Sequence, residues 1–396
     1  MFRTLSSIAL LFLSALFASA QGHDIGTVEV KADLKTKALR ITGSPELASL
    51  AQMAFRTHGA FRLVPGGAAY TANFTPAGAN QVRVEITTGN PARSVVNQTV
   101  SGSSTRNALF RAADLVVEQL TGLKGFFAGK ITFVSERTGR REVYTSDLFF
   151  GEVVQVTHDN AHALSPRWSP DGGRIVYTSF YRSGSPDIYI LDPHSGQHTP
   201  WASFKGTNSG GRFSPDGGQI AAALSAGGNQ EIFAASAAGR GFRRLTNSAG
   251  VEASPVWSPD GSRLLFTSDR EGRPQLYVMS AGGGTMSRIP TNLSTYCAEP
   301  DWSAAKPNLI SFTAAVGSSF QVAIYDLNTH QGQIVTRGGG DNIESCWLAD
   351  GRHLLCTGRS ADVRVIKIVD TESAKSPTVI SPAALGQVQQ ANYWKR

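Results

Sequence analysis

A chain of 396 residues and 42.1 kDa exceeds what one compact core usually holds, so two or more domains or one repeat-built domain is expected. Hydrophobic residues at 41% against 17% charged exclude a disordered chain, and 41 Gly with 18 Pro, 20 Phe and 6 Trp lean toward many turns joining short strands. The balance of 37 Lys and Arg over 30 Asp and Glu leaves +7, which permits anionic partners without naming one.

In chain order, residues 1–20 carry one basic residue, Arg3, then an uncharged stretch from Ile8 to Phe17 and the A-x-A-like ending Ala18, Ser19, Ala20. This pattern predicts a cleaved signal peptide, too short to span a bilayer. Export predicts a soluble mature chain outside the cytoplasm, which removes nucleic acid as a natural partner. The first cysteine is Cys297, so no lipid-anchoring Cys follows the predicted cut.

Residues 21–126 read as a small α/β domain. Ser44 and Pro45 signal a helix start, with Leu47, Leu50, Ala51 and Ala54 on one face and Gly59 as the stop. Thr105 to Leu120 reads as a second helix. Phe61–Val64, Val82–Ile86 and Ser94–Val100 read as strands.

From residue 127 onward a repeat dominates. Trp168, Phe213 and Trp257 each open an (aromatic)-S-P-D-G turn, and Trp302, Trp347 and Trp394 continue the series at spacings of 45, 44, 45, 45 and 47 residues. After each turn come β-rich runs such as Arg174–Ser179 and Asp187–Leu191, or Arg263–Ser268 and Gln275–Met279. Four strands per unit describe a propeller blade. Lys130–Ser135 and Glu142–Ser146 lack an upstream anchor, and Trp394 is an anchor with nothing downstream. If Gln387–Trp394 supplies the innermost strand of that incomplete unit, the 270 residues from 127 to 396 make six blades of 45, a mainly β fold without exposed sheet edges.

Catalytic signatures are sparse. There is no G-x-S-x-G, no H-E-x-x-H, no C-x-x-C and no complete P-loop, and a hydrolase domain behind the propeller finds no room before Arg396. Five positions before the anchors stand Ala163, Asn208, Glu252, Cys297, Asn342 and Gln389, and three before stand Glu299 and Glu344 in adjacent blades. These side chains predict a hydrated polar channel lining. The rival reading is a propeller enzyme or small-ligand sensor that holds a cation on the channel carboxylates. His158 and His162 read as rim histidines, and His194 and His198 as solvated residues flanking a hairpin turn. Cys346 and Cys356 flank the turn at Asp350-Gly351, where a disulfide and two buried thiols are both open.

The signal peptide, the helix ending Leu120-Thr121-Gly122, the junction Gly125–Ser135 (GFFAGKITFVS) and the W-S-P-D-G blades with L-T ends together resemble the TolB family, periplasmic propellers of the Tol-Pal envelope system. The similarity is specific from about Arg106 to Phe266 and at Trp394; the units at Trp302 and Trp347 are degenerate, and residues 21–60 depart from the family. The resemblance implies a non-enzymatic, cofactor-free monomeric adaptor in the periplasm that supports outer-membrane integrity and cell division. It implies that the propeller mouth binds the peptidoglycan-associated lipoprotein Pal through Thr207, Asn208, Gly210, Glu252, Ala253 and Glu299. It further implies that the mature N-terminus, Gln21–Asp33, engages the inner-membrane protein TolA.

Overall fold

The computed structural model describes residues 36–182, 184–373 and 375–395. The predicted signal peptide and the segment Gln21–Asp33 lie outside the described residues.

The first domain comprises β1 (Lys37–Gly43), α1 (Pro45–Arg56), β2 (Phe61–Leu63), β3 (Tyr70–Gly78), β4 (Gln81–Thr88), β5 (Arg93–Ser101) and α2 (Thr105–Thr121). Its sheet runs β2-β1-β3-β4-β5, with β1 parallel to both neighbours and the rest antiparallel. Both predicted helices form. Pro45 sets the first turn of α1, where its missing N–H is not needed. Ser104 caps α2 by accepting the Asn107 N–H at 3.1 Å, and Gly122 ends the helix in the left-handed region at φ 72°. The sequence reading missed β3, whose buried alternation of Ala72 and Phe74 runs straight into the turn-like residues Pro76 and Gly78.

The remainder is a six-bladed β-propeller, each blade a four-stranded antiparallel sheet. Blade one is Ala163–Trp168, Ile175–Ser179, Asp187–Leu191 and His198–Ala202. Blades two to five start with the inner strands Asn208–Phe213, Glu252–Trp257, Cys297–Trp302 and Asp341–Trp347. Blade six joins Val388–Trp394 to Lys130–Ser135, Glu142–Asp147 and Val154–Gln155. The closing strand is antiparallel, with Val388 opposite Ser135 and Trp394 opposite Lys130. The two orphan segments thus complete one sheet, and each of the six blades has its inner strand.

The S-P-D-G turns explain why the repeat keeps those residues. In blade one the Ser169 hydroxyl donates to Asp171 Oδ1 at 2.5 Å and accepts the Arg174 N–H at 2.9 Å. Ser214 with Asp216 and Ser258 with Asp260 repeat the arrangement. The arginine that follows crosses to the next blade: Arg174 lies 5.0 Å over the Phe213 ring and Arg263 4.9 Å over the Trp302 ring. Anchor, turn and cation therefore form one inter-blade joint.

The two domains share a core. Phe55, Leu109, Phe126 and Phe127 pack in one buried cluster with Leu348, Leu355, Ile366 and Ile368 of blade five. Across the junction, Tyr393 donates its hydroxyl to Phe126 O at 2.9 Å and Lys395 Nζ pairs with Asp114 at 2.8 Å. Among the described residues, no helix is long and apolar enough to cross a membrane.

Cys346 and Cys356 are free buried thiols. A bulge between Ile343 and Cys346 sets Cys346 opposite Leu355. A one-residue offset sends neighbouring side chains to opposite faces, so Cys346 packs toward the blade-six side and Cys356 into the cluster around Val322 and Trp347.

Candidate docking face and channel

Backbone hydrogen bonds define the two ends of the wheel. Glu136 N bonds Gln387 O, Phe180 N bonds His162 O and Ser225 N bonds Thr207 O, so the tips of the second hairpins stand beside the entries of the inner strands. That end is the mouth. The S-P-D-G turns lie at the other end, where the first domain covers blades five and six.

Each inner strand carries a β-bulge three or four residues before its anchor, at Ser165, Gly210, Ser254, Glu299, Glu344 and Gln390. All six have positive φ, between 51° and 69°. Only Gly210 adopts this conformation without a steric cost. Four of the other five, Ser165, Glu299, Glu344 and Gln390, are held by bonds to the neighbouring blade. Glu299 N–H and Glu344 N–H donate to the hydroxyls of Thr267 and Thr313, each at 3.2 Å, and Gln390 N–H donates to Thr357 at 2.9 Å. In return Thr313 donates to Glu299 Oε2 at 2.8 Å and Thr357 to Glu344 Oε2 at 2.9 Å. Gln390 Nε2 donates to Glu344 Oε1 and Gln390 Oε1 accepts Ser165 N–H, both at 2.8 Å. The bulges turn side chains sideways along the channel wall, and the result is a belt running from blade three through four, five and six to one.

Burial and the nearby Glu344 carboxylate push the Glu299 carboxyl up to about 7. Deeper in the channel, Arg212 Nη1 reaches Asp301 Oδ1 at 3.1 Å while Asp301 Oδ2 accepts Trp347 N–H at 2.9 Å. Arg167, lowered to about 10 by burial and by Arg212, lies at the same level. The mouth is therefore a cup with a charged floor.

The residues singled out from the sequence divide into two groups. Thr207 is exposed, and Gly210 and Glu299 are half-buried on the cup wall. Asn208 and Glu252 are fully buried and Ala253 nearly so. Asn208 Nδ2 donates to Pro186 O at 3.1 Å and Phe204 O at 2.8 Å, fixing the rim loop that carries Thr207. Glu252 Oε1 accepts from Ser248 at 2.7 Å and Ser268 at 2.8 Å. Burial and the neighbouring Glu231 carboxylate raise Glu252 to about 7, while Glu231, supported by Thr246, Ser248 N–H and Arg244, is lowered. The corresponding residue of blade five, Asn342, bonds Gln321 of blade four at 2.9 Å. This register position is a blade-to-blade latch.

His198 is packed rather than solvated, with Tyr177 Oη 2.9 Å from its Nδ1 and the rings of Tyr181 and Tyr189 beside it. His194 is exposed. Among the described residues, the group of three His, Cys, Asp or Glu side chains close enough to share a metal ion lies outside the channel, at the domain junction: His58, Asp350 and His353. The sequence reading missed it. Its available signals were two departures from the repeat, Leu348 where other turns have Ser and His353 where blades one and three have Arg.

Comparison with known proteins agrees with this architecture. The family model described as the TolB beta propeller domain matches residues 117–395. The chain belongs to the TolB β-propeller family. "Tol-Pal system protein TolB" of Anaeromyxobacter dehalogenans is 34% identical over 158 residues, 40% of this chain and 36% of that protein. The protein of the same name from Desulfosudis oleivorans is 37% identical over 145 residues, 37% of this chain and 33% of that protein. The chain thus matches about a third of the length of these curated relatives. The crystal structure of TolB from Acinetobacter baumannii superposes with a TM-score of 0.82 at 25% identity, covering 92% of this chain and 98% of that one. The family model spans the degenerate blades four and five, and the superposition, at 92% of this chain, reaches into the first domain as well. The chain is accordingly similar to Tol-Pal system components in both sequence and fold.

Proposed function

We propose that the protein is a non-enzymatic periplasmic adaptor of a Tol-Pal system, exported by a cleaved signal peptide. Its mouth takes a Pal-like peptidoglycan-associated lipoprotein, and its N-terminal segment Gln21–Asp33 takes a TolA-like inner-membrane protein. The observation that carries the reading is the asymmetry of the wheel. One end is covered by the first domain, and the other is a rigid ring of loops around a cup. The polar belt supports binding rather than catalysis, because Glu299 and Glu344 already accept from Thr313, Thr357 and Gln390.

The test is binding of the purified soluble domain of the peptidoglycan-associated lipoprotein from the same genome. Thr207→Arg, at an exposed rim position, is expected to weaken binding at least tenfold with Tm unchanged. Binding unaffected by this change and by Glu299→Arg would remove the mouth as the docking face. Glu252 is a poor probe, because a change at a buried latch alters the wheel itself.

A further inference from the structure

We propose that the junction between the first domain and blade five binds one divalent transition-metal ion of the zinc class, through His58 Nε2, Asp350 and His353 Nδ1.

Blade five has diverted its turn. Asp171, Asp216 and Asp260 each take a hydrogen bond from the serine of their own turn. In blade five that serine is Leu348, which packs in the interdomain core. Asp350 instead accepts the N–H groups of Arg352 and His353 on Oδ1, at 3.0 and 2.9 Å, and presents Oδ2 to His353 Nδ1 at 2.5 Å.

The first domain brings the third donor. His58 follows the end of α1, enclosed by Phe61, Phe126 and Phe127, with its ring centroid 4.5 Å from that of His353. Its Nδ1 accepts Ala60 N–H at 3.3 Å, and its Nε2 is buried with no hydrogen-bond partner. A buried, unpaired ring nitrogen is costly unless something is placed against it. His58 and His353 are wholly buried and Asp350 nearly so, and the three donor atoms lie within 4.8 Å of one another. Tetrahedral coordination at zinc bond lengths needs donors about 3.4 Å apart. Small side-chain rotations supply the difference.

The outer partners suit a metal centre as well. His353 Nε2 faces Asp370 Oδ2 at 3.2 Å. Asp370 is fixed by the Arg352 fork, with both bonds at 2.8 Å, and by Gly59 N–H at 2.8 Å. A carboxylate holding the far nitrogen of a ligating histidine sets the ring's orientation and tautomer. Two imidazoles and a carboxylate with one position left for water match zinc or cobalt better than calcium or magnesium, which prefer an all-oxygen shell. Binding replaces the proton between His353 Nδ1 and Asp350 Oδ2 and releases it to solvent. Ligation through His58 Nε2 moves that ring's proton from Nε2 to Nδ1, so Nδ1 gives up the 3.3 Å bond it accepts from Ala60 N–H. The ion then ties α1 of the first domain to blade five.

The experiment strips the full chain with a chelator, removes the chelator, and titrates Zn²⁺ by calorimetry and Co²⁺ by visible absorption. One ion per chain is expected, with proton release and the absorption of a four-coordinate Co²⁺. His58→Gln, which fills the space without adding a charge, is expected to weaken binding at least 100-fold. Asp370→Asn should weaken it 10- to 100-fold by loosening His353. A variant lacking the rim and surface histidines His158, His162 and His194 is expected to bind as the parent does. Absence of stoichiometric binding by the parent chain would overturn the proposal, as would binding that survives His58→Gln or disappears with the surface histidines.

Discussion

Glu299→Gln is expected to stabilise the protein in alkaline solution and leave it unchanged in acid. The carboxyl lies on the cup wall at a bulge with φ 54°, and burial and Glu344 raise it from 4.5 to about 7. The folded chain then holds more protons than the unfolded chain between those two values. The contribution of Glu299 is fully present below about pH 4.5 and is lost as pH rises through about 7. A shift of about 2.5 units at 1.36 kcal/mol per unit gives about 3 kcal/mol as the upper bound on the cost of keeping Glu299 ionised. Glutamine imitates the protonated acid at every pH, and its amide oxygen can accept the Thr313 hydroxyl that now donates to Glu299 Oε2 at 2.8 Å. Urea denaturation of both chains at about pH 4 and about pH 8.5, with chelator present, should show no difference at the lower value and a gain of 1 to ~3 kcal/mol at the higher. The chelator matters because a cation on the carboxylates would reverse the sign. Equal stability at both values, or a less stable variant in alkali, would refute the account of this carboxyl.

Further outcomes follow from the packing. Trp257 is 7% exposed and donates Nε1–H to Arg212 O at 3.0 Å, so Trp257→Ala should cost about 3 to 5 kcal/mol in chemical denaturation. Deleting residues 388–396 uncovers the Lys130–Ser135 edge and removes the acceptors of Ser165 and Trp168 N–H, so light scattering should report self-association. A monomer with the parent's Tm would contradict the closure. Burial pushes the Cys346 thiol up to about 11 and Cys356 up to about 12, so reductant should leave Tm unchanged and thiol reagents should titrate them only after unfolding. At the junction, a Cβ on Gly59 would stand 2.2 Å from Asp370 Oδ2, held by Arg352. Gly59→Ala should therefore make limited proteolysis faster between the domains.

The wheel was legible because its signals are local and repeated. A Ser-Pro-Asp-Gly turn needs its own four residues and the backbone just beyond, and the period follows from copying it. Even the closure could be counted, since an anchor without strands and strands without an anchor lie at opposite ends of the repeat. The bulge belt was not legible. Five of its six positions are Ser, Glu or Gln, residues that do not announce positive φ, and what holds three of them is a threonine on an adjacent blade. Nor could Glu252 be known as a buried latch, because its partner Glu231 belongs to the preceding blade. The cysteine pairing turned on one inserted residue, and a sum of positions across a turn cannot see a bulge.

Loss of the repeat consensus carries information of its own. Blades one to three spend their turn residues within and between blades, where the same demands recur and the same sequence answers them. Blades four and five meet something different. Beside them runs a cavity of about 820 Å³ between the end of α2 and the turns, lined by Trp302, Ala304, Ala305, Trp347 and Leu348. In blade five the displaced aspartate, a new histidine and the Asp370 carboxylate all face His58-Gly59 of the first domain. A turn that drifted for want of constraint would scatter polar groups toward solvent. Here they are buried, and the two imidazole nitrogens without a hydrogen bond, His58 Nε2 and His353 Nε2, both belong to the cluster, the second 3.2 Å from Asp370 Oδ2. The degenerate repeat is therefore a repeat under a second constraint, and in this family's fold the positions that break the pattern mark where the wheel is held.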